Sequence, residues 1–199
     1  MNVRLSKSFE FWTNVWYLDA LVTNKYDATV SMISNTTDTD KHEVSVSRID
    51  QFMRTILGNA VMIRSDDNKQ IERLEKAGIR TVQFPEEPFD QTVAIMLYCK
   101  LNAICAGNMI ITGVDLSSKA GCDVNYMFDE DDAFGPFAED GWWNDEEPTF
   151  QGVSKSKDKI IKLAPKLSWE DFGLEWEVGE HGNVVTGNFA NKKSPKKKK

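Results

Sequence analysis

Between residues 89 and 105 the chain carries apolar side chains on nearly every side of a helical stretch: Val93, Ala94, Ile95, Met96, Leu97, Tyr98, Leu101, Ala103 and Ile104. A helix with so small a polar face cannot sit on a surface and has to be covered from several directions. The other segments must therefore wrap it. The chain has 199 residues, 41% of them hydrophobic, which is enough to close such a core within one domain of ordinary size. Pro85-Glu86-Glu87-Pro88 is a rigid elbow suited to opening the helix, and Gly107 is suited to ending it.

The flanking sequence alternates between strand and helix signals. Residues 3–11 alternate loosely and predict a strand, whereas 12–22, rich in aromatics, fits strand or helix. Residues 28–34 are β-branched and apolar, a strand pattern, and a polar loop leads from them to Glu43-Val44-Ser45-Val46, so these two predict a hairpin. Ser47, with Asp50 three residues on, has the spacing of a helix cap ahead of an apolar stripe at Ile49, Phe52, Met53, Ile56 and Leu57, closed by Gly58. Residues 60–63 then predict a buried strand, Ser65-Asp66-Asp67 offers caps for a short helix with Ile71, Leu74 and Ala77, and residues 79–84 predict the next strand. Such a strand–helix–strand crossover predicts parallel neighbours. Residues 109–114 and 122–128 add a strand and a hairpin-like return. The expected class is α/β: a mixed sheet with at least one βαβ crossover flanked by helices. Residues 1–128 form the core domain, 129–178 an acidic, aromatic and then Lys-rich extension packing on it, and 179–199 a disordered basic tail.

Charge is sharply segregated. The last eight residues hold six Lys, and without them 18 basic residues face 31 acidic ones. Residues 120–154 contain ten acids and no Lys or Arg; five Lys follow by residue 166. No apolar run is long enough to span a bilayer, the N-terminal residues lack a signal-peptide stretch, and the three Cys have no metal-type spacing. Together these features predict a cytoplasmic protein away from membranes.

The loops after the predicted strands lack the glycine clusters that let backbone amides approach a phosphate, which excludes the usual nucleotide-binding motifs. Those loops do hold carboxylates: Asp66, Asp67, Glu86, Glu87 and Asp115 lie where an open parallel sheet builds its site. Converging on a divalent cation, they would suit a metal-dependent hydrolase or nuclease; as helix caps they need no metal. His42 and His181 offer no preorganised base for a Ser or Cys nucleophile, Cys99 and Cys105 sit on the apolar helix, and the role of Cys122 stays open. No metal and no cofactor is expected. In residues 129–150 the rings of Phe134, Phe137, Trp142 and Trp143 are interleaved with acids that include Asp129, Glu130, Asp131 and Asp132. Aromatics ringed by acids suit a docking surface for a basic partner, or else rings folded onto the sheet with the acids solvated. The Lys-rich tail could contact nucleic acid, which the acidic body opposes.

The block Phe84-Pro85-Glu86-Glu87-Pro88-Phe89-Asp90-Gln91, running into Tyr98-Cys99-Lys100-Leu101-Asn102-Ala103-Ile104, together with Gly141-Trp142-Trp143, resembles an uncharacterised tailed-bacteriophage accessory protein. The resemblance implies a virus-encoded accessory, host-directed or virion protein, and it assigns no residue a role. The leading expectation is thus a non-enzymatic interaction protein that docks another protein, of host or virion origin, through Asp129, Glu130, Asp131, Asp132, Phe134, Phe137, Trp142 and Trp143. The rival is a carboxylate-dependent hydrolase or nuclease using Asp66, Asp67, Glu86 and Asp115. A third reading is association with nucleic acid through the tail. Oligomeric state is left open.

Overall fold

The computed structural model describes residues 4–150 and 167–176. Two long strands, β1 (Arg4–Tyr17) and β2 (Ala20–Ser34), run antiparallel along their whole length and form the spine of the sheet. The aromatic stretch that sequence left open is strand. Phe9, Phe11, Thr13 and Val15 alternate inward, while Trp12 is 56% exposed on the other face. Tyr17 pairs with Ala20 across a two-residue turn, and Leu18 and Asp19 both take the positive φ (47° and 58°) that a tight hairpin twist demands.

Helix α1 (Thr39–Gln51) follows and continues through a wider turn, Phe52–Ile56, into a 3₁₀ turn, Leu57–Asn59. This corrects two expectations. Residues 43–46 lie inside the helix, so β2 has β1 and not that segment as its hairpin partner. The cap is Asp38, whose carboxylate accepts from the backbone N–H groups of Asp40 (3.0 Å) and Lys41 (3.4 Å), and not Ser47. An N-cap nine residues earlier lets the helix run through Val44 and Val46 despite their β-branching, because packing of Ile49, Phe52, Met53, Ile56 and Leu57 outweighs local propensity.

Strand β3 (Ala60–Arg64), helix α2 (Asn68–Lys76) and strand β4 (Arg80–Phe84) form the expected crossover, with β3 and β4 parallel. Asp67 caps α2 by accepting from Gln70 N–H, and Gly78, at φ 76°, ends it. The central helix α3 (Asp90–Cys105) then leads to β5 (Met109–Ser118) and β6 (Tyr126–Asp129). The result is a six-stranded mixed sheet in the order β4-β3-β1-β2-β5-β6, with β3 parallel to both β1 and β4. The class is α/β. Helices α1 and α3 pack together over the sheet, and α3 buries apolar side chains around most of its circumference, as its sequence demands. Among the described residues no helix is long and apolar enough to cross a membrane.

Short 3₁₀ turns, Gly135–Ala138 and Trp142–Asn144, carry the chain after β6 back over α3 and the β4 edge, and a third, Glu170–Phe172, follows Trp169, whose ring lies against Arg48 of α1. Two buried cations hold these pieces. Lys100 Nζ, fully buried on α3, donates to the carbonyls of Trp142 (2.9 Å), Asp145 (2.7 Å) and Glu147 (2.7 Å). Arg48 on α1 donates to Leu174 O (2.7 Å), Ile104 O (3.1 Å) and Glu146 Oε1 (2.7 Å), with its guanidinium between the rings of Trp169 and Trp176. The Lys run at 155–166 and the tail at 179–199 lie outside the described residues.

Candidate ligand-binding cleft

The elbow at residues 85–88 delivers the chain to α3 with Phe89 in extended conformation and Asp90 as the first helical residue. An anion at that position is stabilised by the positive end of the helix dipole. Asp90 is nevertheless 91% buried, being only 9% exposed. The Ser118 hydroxyl at the end of β5 lies 2.9 Å from Asp90 Oδ1 and 2.7 Å from Oδ2, and donates to the carboxylate. Ser118 Oγ in turn accepts from Gly121 N–H at 3.0 Å. A Cβ on residue 121 would overlap Asp90 Oδ2, so the loop can close over the carboxylate only with glycine there. Asn24 on β2 fixes the same loop, its Oδ1 accepting from Ala120 N–H at 2.9 Å.

Asp90 has no cationic partner among the described residues. Burial raises its pKa above the ordinary carboxyl range, and the Ser118 hydrogen bond opposes that rise. Tyr26, stacked on Phe11 at 5.1 Å, has its hydroxyl pushed above the ordinary phenol value by burial and, less strongly, by the negative charge of Asp90; the Asn24 side chain pulls it back. The carboxylate opens into a cleft of about 590 Å³ with walls that include Val15, Tyr17, Val22, Phe89 and Tyr126. Tyr17 and Phe89 meet edge to face at 5.5 Å, yet Phe89 remains 53% exposed and Tyr126 37%. Gln91 stands at the same mouth. A buried acceptor inside an apolar, aromatic hollow of this size is the usual composition of a small-molecule site.

The strand-end carboxylates do not converge. Asp66 and Glu87 both pair with Arg64, Asp67 is spent capping α2, and Glu86 is exposed. Asp115 sits elsewhere on the sheet, paired with Thr29 and Met127, in a polar hollow with Glu10, Asp27 and Arg54. Among the described residues no three His, Cys, Asp or Glu are grouped to hold a metal ion. Of the four carboxylates of the hydrolase reading, Asp66 pairs with Arg64, Asp67 caps α2, Glu86 is exposed beside the elbow and Asp115 lies on β5, so the structure does not bring them together.

The aromatic half of the docking surface is also corrected. Phe137, Trp142 and Trp143 are buried at 2%, 4% and 8% exposure. Trp142 Nε1 donates to Gln83 O at 2.8 Å, and Trp143 Nε1 donates to Phe137 O and Glu139 O at 3.1 and 3.0 Å. Phe134 packs half-buried against Tyr98 and Phe128. The rings complete the cover over α3 and β4, with their polar edges satisfied inside the chain. The acids Asp129, Glu130, Asp131 and Asp132 stay exposed; two backbone N–H groups of this turn donate to the carboxylates of Asp132 and Asp129.

No protein-family model and no curated protein matches this sequence. Among solved structures, the chain is similar to an uncharacterised protein, WS1659, from Wolinella succinogenes. That match has 12% identity and a TM-score of 0.46, and covers 66% of this chain and 99% of the other. It is also similar to a 6-pyruvoyl tetrahydropterin synthase from Plasmodium vivax, at 8% identity and a TM-score of 0.38 over 64% of this chain and 97% of the other.

Asp90, Ser118, Gly121 and Asn24 were not among the residues singled out from sequence. Asp90 stands at a helix start, where acids are ordinary. Its burial depends on the return of β5, nearly thirty residues later, and no local signal reports that contact.

Proposed function

We propose that this chain binds a small organic ligand in the cleft at the N-terminus of α3, with Asp90 as the anchoring acceptor. One observation carries the reading: a buried carboxylate without a cationic partner among the described residues opens into a hollow walled by rings that remain partly uncovered. Leaving such rings uncovered and a carboxylate uncompensated costs stability, and a ligand that covers both recovers that cost. A ligand-observed NMR screen of fragment-sized compounds tests it. Compounds with N–H donors on an apolar body should bind the wild type and be lost with Asp90→Asn. A screen without hits, or hits indifferent to that substitution, would count against the proposal.

A second reading keeps the docking protein, on acids alone. The exposed carboxylates of Asp129, Glu130, Asp131 and Asp132 stand in a stretch without Lys or Arg from residue 120 to 150, which favours a basic partner. On this reading the chain is a bacteriophage-encoded accessory protein meeting a basic face of a host or virion protein. Replacing the four acids by their amides should abolish salt-dependent binding of a Lys-rich peptide; unchanged binding would remove the reading.

A further inference from the structure

We infer that the ligand of the Asp90 cleft is an organic cation, a protonated amine carried on an aromatic or apolar body. This deepens the proposed small-molecule reading and rests on it. Three independent features of the cleft select the cation over a neutral donor.

The first is the unfilled acceptor capacity of the carboxylate. Its two oxygens can accept about four hydrogen bonds. One hydroxyl proton, from Ser118, serves both of them. The lysines adjoining the cleft residues in sequence are already committed elsewhere. Lys25 pairs with Glu10 at 2.8 Å and Asp27 at 3.5 Å, and Lys119 pairs with Asp123 at 2.8 Å. Among the described residues no protein cation is therefore on hand to neutralise Asp90, and an ammonium group entering the cleft meets an open position.

The second feature is the wall. Tyr17, Phe89 and Tyr126 line the cleft around the carboxylate, and the π face of an aromatic ring attracts a desolvated cation. A neutral hydroxyl or amide gains nothing comparable from these rings. The third is the long-range field: with a formal charge of −7, the chain draws cations toward it and repels anionic ligands. The cleft volume of about 590 Å³ lies within the range that takes a ligand with a ring and a short side chain.

Titration calorimetry with a matched set of probes tests the inference: 2-phenylethylamine as the cation, 2-phenylethanol as its neutral isostere, and adenine as a flat neutral heterocycle. A hydrogen bond to a charged partner predicts an amine affinity roughly ten- to a hundredfold above that of the alcohol. Asp90→Asn, which keeps an oxygen for Ser118, should erase that ratio without lowering the melting temperature of the free protein by more than a few degrees. Phe89→Ala, on a ring 53% exposed, should weaken the amine more than the alcohol without disturbing the core. It serves as the second variant should Asp90→Asn fail to fold. Equal binding of amine and alcohol, or binding of adenine alone, overturns the cation while leaving the cleft as a ligand site. If none of the three binds, the cation inference and the small-molecule reading both fall.

Discussion

Replacing Lys100 by Met tests whether a buried ammonium clamps the segment after β6 to α3. The substitution keeps the length and apolar stem of the side chain and removes its three donors. The carbonyls of Trp142, Asp145 and Glu147 then lose bonds to a charged group, a gross loss of roughly 4 to 9 kcal/mol at about 1.5 to 3 each. Against this stands the cost of burial, which pushes the ammonium from 10.5 down to about 7 despite the opposing charges of Asp145 and Glu147. Holding that charge costs the folded state roughly 4 kcal/mol at neutral pH. The difference leaves Lys100→Met less stable by about 2 kcal/mol at pH 7. The pH dependence is more telling than this difference of large numbers. Between about 7 and 10.5 the unfolded chain binds the proton and the folded chain does not, so wild-type stability rises with pH in that window. Lys100→Met has no such proton, and every other group cancels in the comparison. Urea denaturation followed by tryptophan fluorescence should show the wild-type advantage growing by about 2 kcal/mol from pH 7 to pH 9. A gap that stays flat or narrows with pH would show that the ammonium keeps its ordinary affinity for the proton, and would refute the reasoning.

Arg48→Met should cost about 3 kcal/mol, since it strips two carbonyls and Glu146 of their donor and leaves Trp169 and Trp176 without the cation between them; chemical denaturation measures the loss and a red-shifted emission reports the rings. Trp142→Ala and Trp143→Ala should each destabilise by about 3 to 5 kcal/mol, whereas a docking role for those rings would leave the melting temperature in place. Gly121→Ala should push the loop off Asp90 and abolish ligand binding in the calorimeter, with a smaller loss of stability than either Trp variant. Asp90 gives a pH effect opposite to that of a salt-bridged carboxylate. Its folded pKa is raised, so its contribution to stability is greatest when protonated and falls as pH rises from the ordinary carboxyl value through the raised one; the wild-type minus Asp90→Asn difference in urea between pH 4 and pH 7 should decline accordingly.

The parts of this fold legible in the sequence are those set by local pattern. The β3–α2–β4 crossover follows from a short apolar run, an Asp cap, a helical stripe and a glycine stop, all within 25 residues. The burial of α3 follows from its composition alone. Where the reading failed, contacts distant in sequence decided the outcome. The sequence places a helix cap at Ser47, yet α1 starts nine residues earlier at Asp38, whose carboxylate takes the N–H groups of Asp40 and Lys41. The rings at 137, 142 and 143 have no period, so sequence could not say whether they faced a partner or the chain's own core. A lone Lys on a helix due to be buried on every side must find acceptors inside the protein, as Lys100 does. That was the signal available for the clamp. The cleft had none comparable, because Asp90 and Ser118 meet only through the return of β5.

Clamp and cleft are nonetheless one problem, since both hang on α3. Asp90 and Lys100 are ten residues apart on α3, roughly 15 Å along its axis. A helix of this kind transmits displacement as a rigid rod, so the segment held by Lys100 fixes the tilt with which Asp90 faces Ser118 and the Gly121 loop. Two buried charges on one helix would be a poor solution if stability alone were selected. Lys100 is satisfied entirely by carbonyls inside the chain, whereas Asp90 is satisfied only in part. The asymmetry separates a group kept for the fold from one kept for something that enters it. Loosening the clamp should therefore weaken amine binding in Lys100→Met even though no ligand atom approaches residue 100. Calorimetry at pH 7, with folding of the variant checked by its urea transition, would find unchanged affinity if the two ends of α3 are independent.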